Sequence, residues 1–403
     1  MGVSDEIERL CARLDEVDGE LRAFLPEPDR RGRLQREHGD EPRRRGPVLA
    51  VKDIFRVDGF ETRAGSSLPP HELAGDEAEC VRRFRAAGAW VLGKTHTTEF
   101  AMLDPGPTRN PHDHARTPGG SSSGSAAAVS AGLAEVALGS QTVGSVLRPA
   151  AYCGVVGFKP TFDRVPTAGV LYCSPSVDHV GLFARDVATM TSAARTACLG
   201  WTQAAERGTA PRMLVPDGPY LEQQPDDGRA EFEQRLDRLV ARGVELERVP
   251  CMDDFEALAH RHSRLVAYEF AREHQRLYEL YGERYRDCAR NLVVTGRDVG
   301  EAEADEARAS CVELRSRLER LLDEHRADLW VSPPAMGTAP VGLEATGSPA
   351  MNLPWTHAGL PTLGLPAGPG ADGMPLGLQL SARFGRDEEL LAAAAWLEPR
   401  ALA

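Results

Sequence analysis

Pro118-Gly119-Gly120-Ser121-Ser122-Ser123-Gly124-Ser125 runs directly into Ala126-Ala127-Ala128-Val129, a glycine/serine loop followed by a helix of small apolar residues. A flexible linker of this composition does not normally enter an apolar helix. Gly/Ser backbone in front of a buried element is where enzymes set hydroxyls and amides against a reacting group. Ser145 lies 24 residues after Ser121, in a second such stretch, Gly139-Ser140-Gln141-Thr142-Val143-Gly144-Ser145, which leads to Arg148-Pro149-Ala150-Ala151-Tyr152-Cys153-Gly154. Two serine loops flanking one buried helix can meet in space, and a nearby base would complete the parts needed for nucleophilic acyl transfer without histidine.

Lysine usage points to that base. Of the 47 Lys and Arg residues only Lys52, Lys94 and Lys159 are lysine. Arginine stays charged in proteins, whereas a buried lysine can lose its proton. Lys52 ends the short apolar run Pro47-Val48-Leu49-Ala50-Val51, which reads as a strand.

These stretches resemble the amidase signature family. Gly119 to Val129 and Gly139 to Pro149 match its glycine/serine-rich signature, and Val51-Lys52-Asp53 matches its strand-borne lysine. Gly93-Lys94-Thr95, Gly157-Phe158-Lys159-Pro160-Thr161 and Gly377-Leu378-Gln379 match flanking segments. The resemblance implies an α/β amidase signature fold, a large twisted mixed β-sheet covered by helices on both sides. By position it implies Ser145 as nucleophile, Ser121 as a bridging serine on a cis peptide, and Lys52 as general base. The backbone amides of Thr142, Val143, Gly144 and Ser145 would form the oxyanion hole. No cofactor and no metal are implied.

The chain departs from the family pattern at three places. Many members carry Asp-x-Gly-Gly-Ser before the nucleophile and an arginine two places after it; here the run is Gln141-Thr142-Val143-Gly144-Ser145, with Arg148 three places after. Ser123 also replaces a common glycine. These changes leave the three catalytic positions filled and bear on substrate range and the geometry around them.

Composition narrows the partners. A formal net charge of -13 and a pI near 5.4 argue against a nucleic-acid groove or an anionic membrane surface, which need clustered cations. No apolar stretch approaches the roughly 18 residues that span a bilayer, and the acidic N-terminus does not read as a signal segment, so a cytoplasmic protein is expected. The eight cysteines are scattered without a C-x-x-C pair and read as reduced thiols.

Two tempting motifs fail on physical grounds. Gly88-Ala89-Trp90-Val91-Leu92-Gly93-Lys94-Thr95 fits the P-loop pattern literally. Its middle is a strand that follows a helix, whereas a phosphate loop follows a strand and opens a helix. His112-Asp113-His114, with His96 and Glu99 upstream, offers metal-ligand chemistry. Alternate residues of an extended loop point to opposite sides, and a solvated polar loop is the better reading.

An amphipathic helix opens the chain (Ile7, Leu10, Cys11, Leu14, Val17, Leu21) behind Ser4 and Asp5. A charged stretch from Asp29 to Arg45 follows as a solvated helix or loop. One amidase domain is expected over 1–403: a signature core over about 47–200, a divergent helical segment over about 229–326, and a return to the core over about 327–403. The expected reaction is hydrolysis of a small carboxamide. Alternatives are the glutamine-hydrolysing A subunit of an amidotransferase, an acyl transferase, or an inactive scaffold of the same fold. Tyr268, Glu269 and Trp355 are candidates for the substrate pocket, and a homodimer is left open.

Overall fold

The computed structural model describes residues 2–41 and 43–401. Ten strands form one mixed sheet: β1 (Val48–Lys52), β2 (Trp90–Thr95), β3 (Val136–Gln141), β4 (Val156–Lys159), β5 (His179–Ala184), β6 (Arg212–Asp217), β7 (Glu245–Pro250), β8 (Leu329–Ser332), β9 (Thr362–Pro369) and β10 (Pro375–Ser381). Their order is β2-β1-β3-β5-β4-β9-β10-β8-β6-β7. The parallel pairs lie toward the two ends, β2/β1/β3 and β8/β6/β7. The middle of the sheet is antiparallel.

Strands β1 to β5 are buried along their whole length, as expected where helices cover both faces. Alternation along β1 shows the two faces directly. Leu49 and Val51 pack into one apolar core, with Leu138 of β3; Val48 and Ala50 pack into the other, with Ala126, Ala127 and Ala128. The period of two places Lys52 on the face of Val48 and Ala50, the side on which helix Ser123–Ser130 lies.

That helix is built of small residues because it sits tightly against its neighbours. A Cβ on Gly124 would come within 2.3 Å of Ala23 O and 2.7 Å of His96 N. Ser125 Oγ donates to Leu138 O at 2.8 Å, tying the helix to β3. Its two ends therefore hold fixed positions relative to β1 and β3.

The segment over 229–326 is mostly helical, with Asp226–Ala241, Phe255–Glu273, Gln275–Tyr281, Asp287–Arg297 and Glu301–Glu324. One correction is required: β7 interrupts it. Glu245, Glu247 and Arg248 are charged because β7 is the sheet edge, with only Val249 fully buried. Edge strands carry charge in this way to discourage pairing with other chains. The opening helix spans Val3–Leu21 and the polar stretch contains helix Arg30–His38. Among the described residues no helix is long and apolar enough to cross a membrane.

Candidate active site

β1 delivers Lys52 into the protein interior, where its side chain has no exposed surface. Its Nζ lies 2.7 Å from Ser121 Oγ and 2.8 Å from Ser140 Oγ. Ser140 sits near the end of β3, the strand paired with β1. Burial pushes the Lys52 amine down to about 7, while the negative charge of Asp178 and the Cys173 thiol act in the opposite direction. Near neutrality the amine therefore exists in both forms. A hydroxyl can donate or accept, so loss of the Lys52 proton allows Ser121 to donate across the same contact.

A low pKa alone does not single out Lys52. Lys159 is equally buried and is also pushed down to about 7 by desolvation. Among the described residues its Nζ meets only carbonyl oxygens, Leu360 O at 2.5 Å and Pro160 O at 3.4 Å. Lys94 forms a buried ion pair with Asp53 at 2.8 Å. Of the three lysines, Lys52 is the one held by two serine hydroxyls.

Ser121 follows a cis Gly120–Ser121 peptide. The loop is held from three sides. Thr97 Oγ1 and Thr98 N donate to Ser121 O, and Arg148 Nη2 donates to Gly120 O at 2.7 Å. Gly119, at φ +80, lies where a Cβ would press on Pro149 and Tyr152. Arg148 is fully buried, and its Nε and Nη1 have no partner among the described residues. Desolvation lowers it to about 10.

The second serine loop joins β3 to helix Leu147–Cys153. Ser122 N donates to Ser145 O at 3.4 Å, linking the two loops. Ser145 is 8% exposed, and its Oγ has no hydrogen-bond partner among the described residues. The amides of Val143, Gly144 and Ser145 also lack an acceptor among them. The carbonyls on this loop are occupied: Thr142 O receives His262 Nε2 at 3.1 Å and Val143 O receives Thr356 Oγ1 at 2.6 Å.

Gln141 explains how the loop dispenses with an aspartate at this position. Its Oε1 accepts from the amides of Val146 and Leu147 at 2.8 and 3.0 Å, while its Nε2 donates to Thr356 Oγ1 at 2.9 Å. A neutral amide both caps the helix start and braces Thr356. The carboxylate beside the loop is the half-buried Asp178. It accepts from Thr142 Oγ1 at 2.5 Å and from the amides of Cys173 and Ser174. Burial raises Asp178 to about 6.

The three pocket candidates lie in different surroundings. Trp355 is completely buried in the core, its Nε1 donating to Tyr220 Oη at 3.1 Å, so its ring offers no surface to a substrate. Tyr268 is buried under the Arg272 guanidinium, 3.3 Å from the ring centre. Glu269 accepts from Ser174 Oγ, Ser176 N, Ser176 Oγ and Arg308, which makes it a brace for the loop leading to Asp178.

The residues weighed as metal ligands also have separate partners. His112 Nε2 meets Cys153 O at 3.0 Å, Asp113 pairs with Arg116, and His114 lies 3.4 Å from Glu20. Glu99 accepts from Arg286 N, and burial raises it to about 7. Among the described residues no group of three or more His, Cys, Asp or Glu side chains converges in metal-binding geometry. Sequence patterns do not single out Ser140, Asp178, His262 or Thr356, of which only Ser140 lies inside the two serine-bearing stretches.

The family model named Amidase matches residues 5–391. The chain belongs to the amidase family. It is 31% identical to the A subunit of glutamyl-tRNA(Gln) amidotransferase from Prochlorococcus marinus (strain MIT 9303) over an alignment of 451 positions, covering 96% of this chain and 92% of that protein. The corresponding protein of Koribacter versatilis (strain Ellin345) is 42% identical over 194 residues, covering 45% of this chain and 40% of the relative, so that match spans two fifths of the relative's length. A crystal structure of an amidase superimposes with a TM-score of 0.88 at 32% identity, covering 100% of this chain and 96% of that one.

Proposed function

We propose that this chain, acting as one domain over 1–403, hydrolyses the C–N bond of a small carboxamide through an acyl-enzyme on Ser145. The observation that carries the reading is the buried Lys52 Nζ, 2.7 Å from Ser121 Oγ and with its pKa brought down to about 7. Neutral Lys52 takes the Ser121 proton while Ser121 takes that of Ser145. Ser145 Oγ then bonds to the carbonyl carbon. The unpartnered amides of Val143 and Gly144, with those of Thr142 and Ser145, receive the oxyanion; one such donor is typically worth about 3–4 kcal/mol in the transition state. When the C–N bond breaks, the proton held by Lys52 returns through Ser121 to the leaving nitrogen, releasing ammonia or an amine. Water attacks the acyl ester by the same relay and frees the acid. Ser145 Oγ is unpartnered in the resting site, and catalytic hydrogen bonds often tighten only with substrate bound.

The test combines a fluorophosphonate probe with a panel of amides assayed for ammonia or amine release. Labelling at Ser145, lost in Ser145→Ala together with turnover, supports the reading. Full turnover by Ser145→Ala rejects it.

A second reading follows from the glutamyl-tRNA(Gln) amidotransferase relatives: glutamine would be the amide, and a partner protein would accept the ammonia. Glutamine hydrolysis stimulated by a partner, with no release from other amides, would favour it. Capture of the acyl group by an amine in place of water uses the same residues and is separated by product analysis.

A further inference from the structure

We propose that His262, aligned by His357, is a positioning residue that fixes the direction of the oxyanion amides. The inference rests on the catalytic reading above and extends it to the helical segment.

Hydrogen-bond polarity settles the arrangement. His262 Nε2 lies 3.1 Å from Thr142 O, His262 Nδ1 lies 3.1 Å from His357 Nδ1, and His357 Nε2 lies 2.8 Å from Ser310 Oγ. Both imidazoles are 1% exposed. Desolvation lowers His262 to about 4 and His357 to about 2, which keeps both neutral. A carbonyl only accepts, so His262 must carry its proton on Nε2 and leave Nδ1 as an acceptor. His357 then carries its proton on Nδ1, with Cys311 Sγ 3.5 Å away, and presents Nε2 as an acceptor to Ser310 Oγ, whose single proton also faces Ala307 O at 2.8 Å. From His357 through His262 to Thr142 the chain runs one way.

Peptide geometry converts that anchor into an orientation. The Thr142–Val143 and Val143–Gly144 peptides are trans, and in a trans peptide the C=O and N–H point in opposite directions. His262 holds Thr142 O, which turns Val143 N–H away from His262. Thr356 Oγ1 holds Val143 O at 2.6 Å, which turns Gly144 N–H away from Thr356. Those two N–H groups lack an acceptor among the described residues and stand beside Ser145. His262 comes from helix Phe255–Glu273, and Thr356 and His357 from helix Leu353–His357. The serine loop is thus clamped from behind by two elements distant in sequence.

The rate of Ser145 phosphonylation by a fluorophosphonate reports on this clamp, because the phosphoryl oxygen draws on the same amides. In His262→Leu the limiting labelling rate should fall roughly 10- to 100-fold, less than or equal to the loss typical of a deleted oxyanion donor. The probe's half-saturating concentration should stay within about threefold. His262→Gln, which can present an N–H, should recover much of the rate. Nitrogen NMR of the wild type gives an independent readout: His262 as the Nε2–H tautomer and His357 as the Nδ1–H tautomer. The same tautomer on both rings, or a folded His262→Leu that labels at the wild-type limiting rate, overturns the clamp and leaves the catalytic reading standing. Wild-type protein that is never labelled at Ser145 overturns the catalytic reading itself.

Discussion

Ser140 Oγ stands 2.8 Å from Lys52 Nζ, so the amine has a second hydroxyl partner besides Ser121. A neutral amine has two N–H groups and one lone pair; engaging one N–H with Ser140 restricts where the lone pair can point. Ser140→Ala removes that restraint and leaves Ser121 and Ser145 in place. One such hydrogen bond contributes roughly 1 kcal/mol, about a fivefold effect. We expect kcat to fall by about that factor with little change in KM. Steady-state kinetics on whichever amide the panel identifies provides the check, and wild-type kcat would show that Ser140 is a bystander.

The pH profile should report Lys52. With the amine pushed down to about 7, kcat/KM should rise with pH through that value as the neutral base accumulates. Lys52→Arg stays charged at accessible pH and should lose roughly 10²–10⁴-fold. Asp178 favours the protonated amine, so Asp178→Asn should move the acid limb to lower pH. Lys159→Met supplies the control: it removes an equally depressed amine that faces only carbonyls, and it should leave the position of the limb alone. A limb that follows Lys159 instead of Lys52 would be incompatible with the assigned base.

How much of this was readable in the sequence depends on range. The run Val48–Lys52 and the two serine loops are local signals, each readable by itself, although Lys52 and Ser121 lie 69 positions apart and meet because β1 pairs with β3 and helix Ser123–Ser130 bridges the two strands. The clamp was not legible. His262 and Thr356 bond to carbonyls 120 and 213 positions away, and nothing near His262 distinguishes it from a histidine of an ordinary amphipathic helix. Strand β7 was lost for a different reason, since Glu245-Leu246-Glu247-Arg248 has the charge of a solvated helix and becomes a strand by pairing with β6. Trp355, a candidate for the substrate pocket, packs in the core, where Tyr220 and Trp330 close over it; its sequence position carries no sign of those distant partners.

Buried histidines should make the protein acid-sensitive. His262, His274 and His357 are pushed by burial to about 4, 3 and 2, against about 6.5 in an unfolded chain. Below pH 6.5 the unfolded state therefore binds more protons, and stability falls as pH falls toward 4. His274 lies away from the serine loops, stacked on Phe270 at 3.9 Å with Nδ1 2.9 Å from Tyr285 Oη. His274→Phe should reduce the loss by up to ~1.4 kcal/mol per pH unit, one proton's worth. Denaturant unfolding at pH 7, 6 and 5 measures the slope; an unchanged slope would mean that His274 does not stay neutral in the fold.

Gly144 supplies the sharpest steric test of the oxyanion loop. A Cβ built there comes within 2.3 Å of Asn352 Oδ1, 3.0 Å of Asn352 Cγ and 3.0 Å of Pro349 Cβ. Asn352 has little freedom to retreat, because its Nδ2 is held by Pro334 O at 2.9 Å and Gln379 Oε1 at 2.7 Å, and Gln379 is itself bonded to Ser332 and Met351. The added methyl must therefore move the loop. Overpacking of this kind costs about 1–3 kcal/mol of stability, which a protein of this size can tolerate while remaining folded. The catalytic cost should be larger, since a shift of about 1 Å in a positioned group can reduce rate on the order of 10²-fold. Gly144→Ala should thus unfold at slightly lower denaturant and lose kcat out of proportion to that change. Asn352→Gly in the same chain removes the obstructing side chain and should restore part of the rate. If Gly144→Ala turns over at the wild-type rate, the loop is not held where the oxyanion forms, and the amides assigned to it must be sought elsewhere.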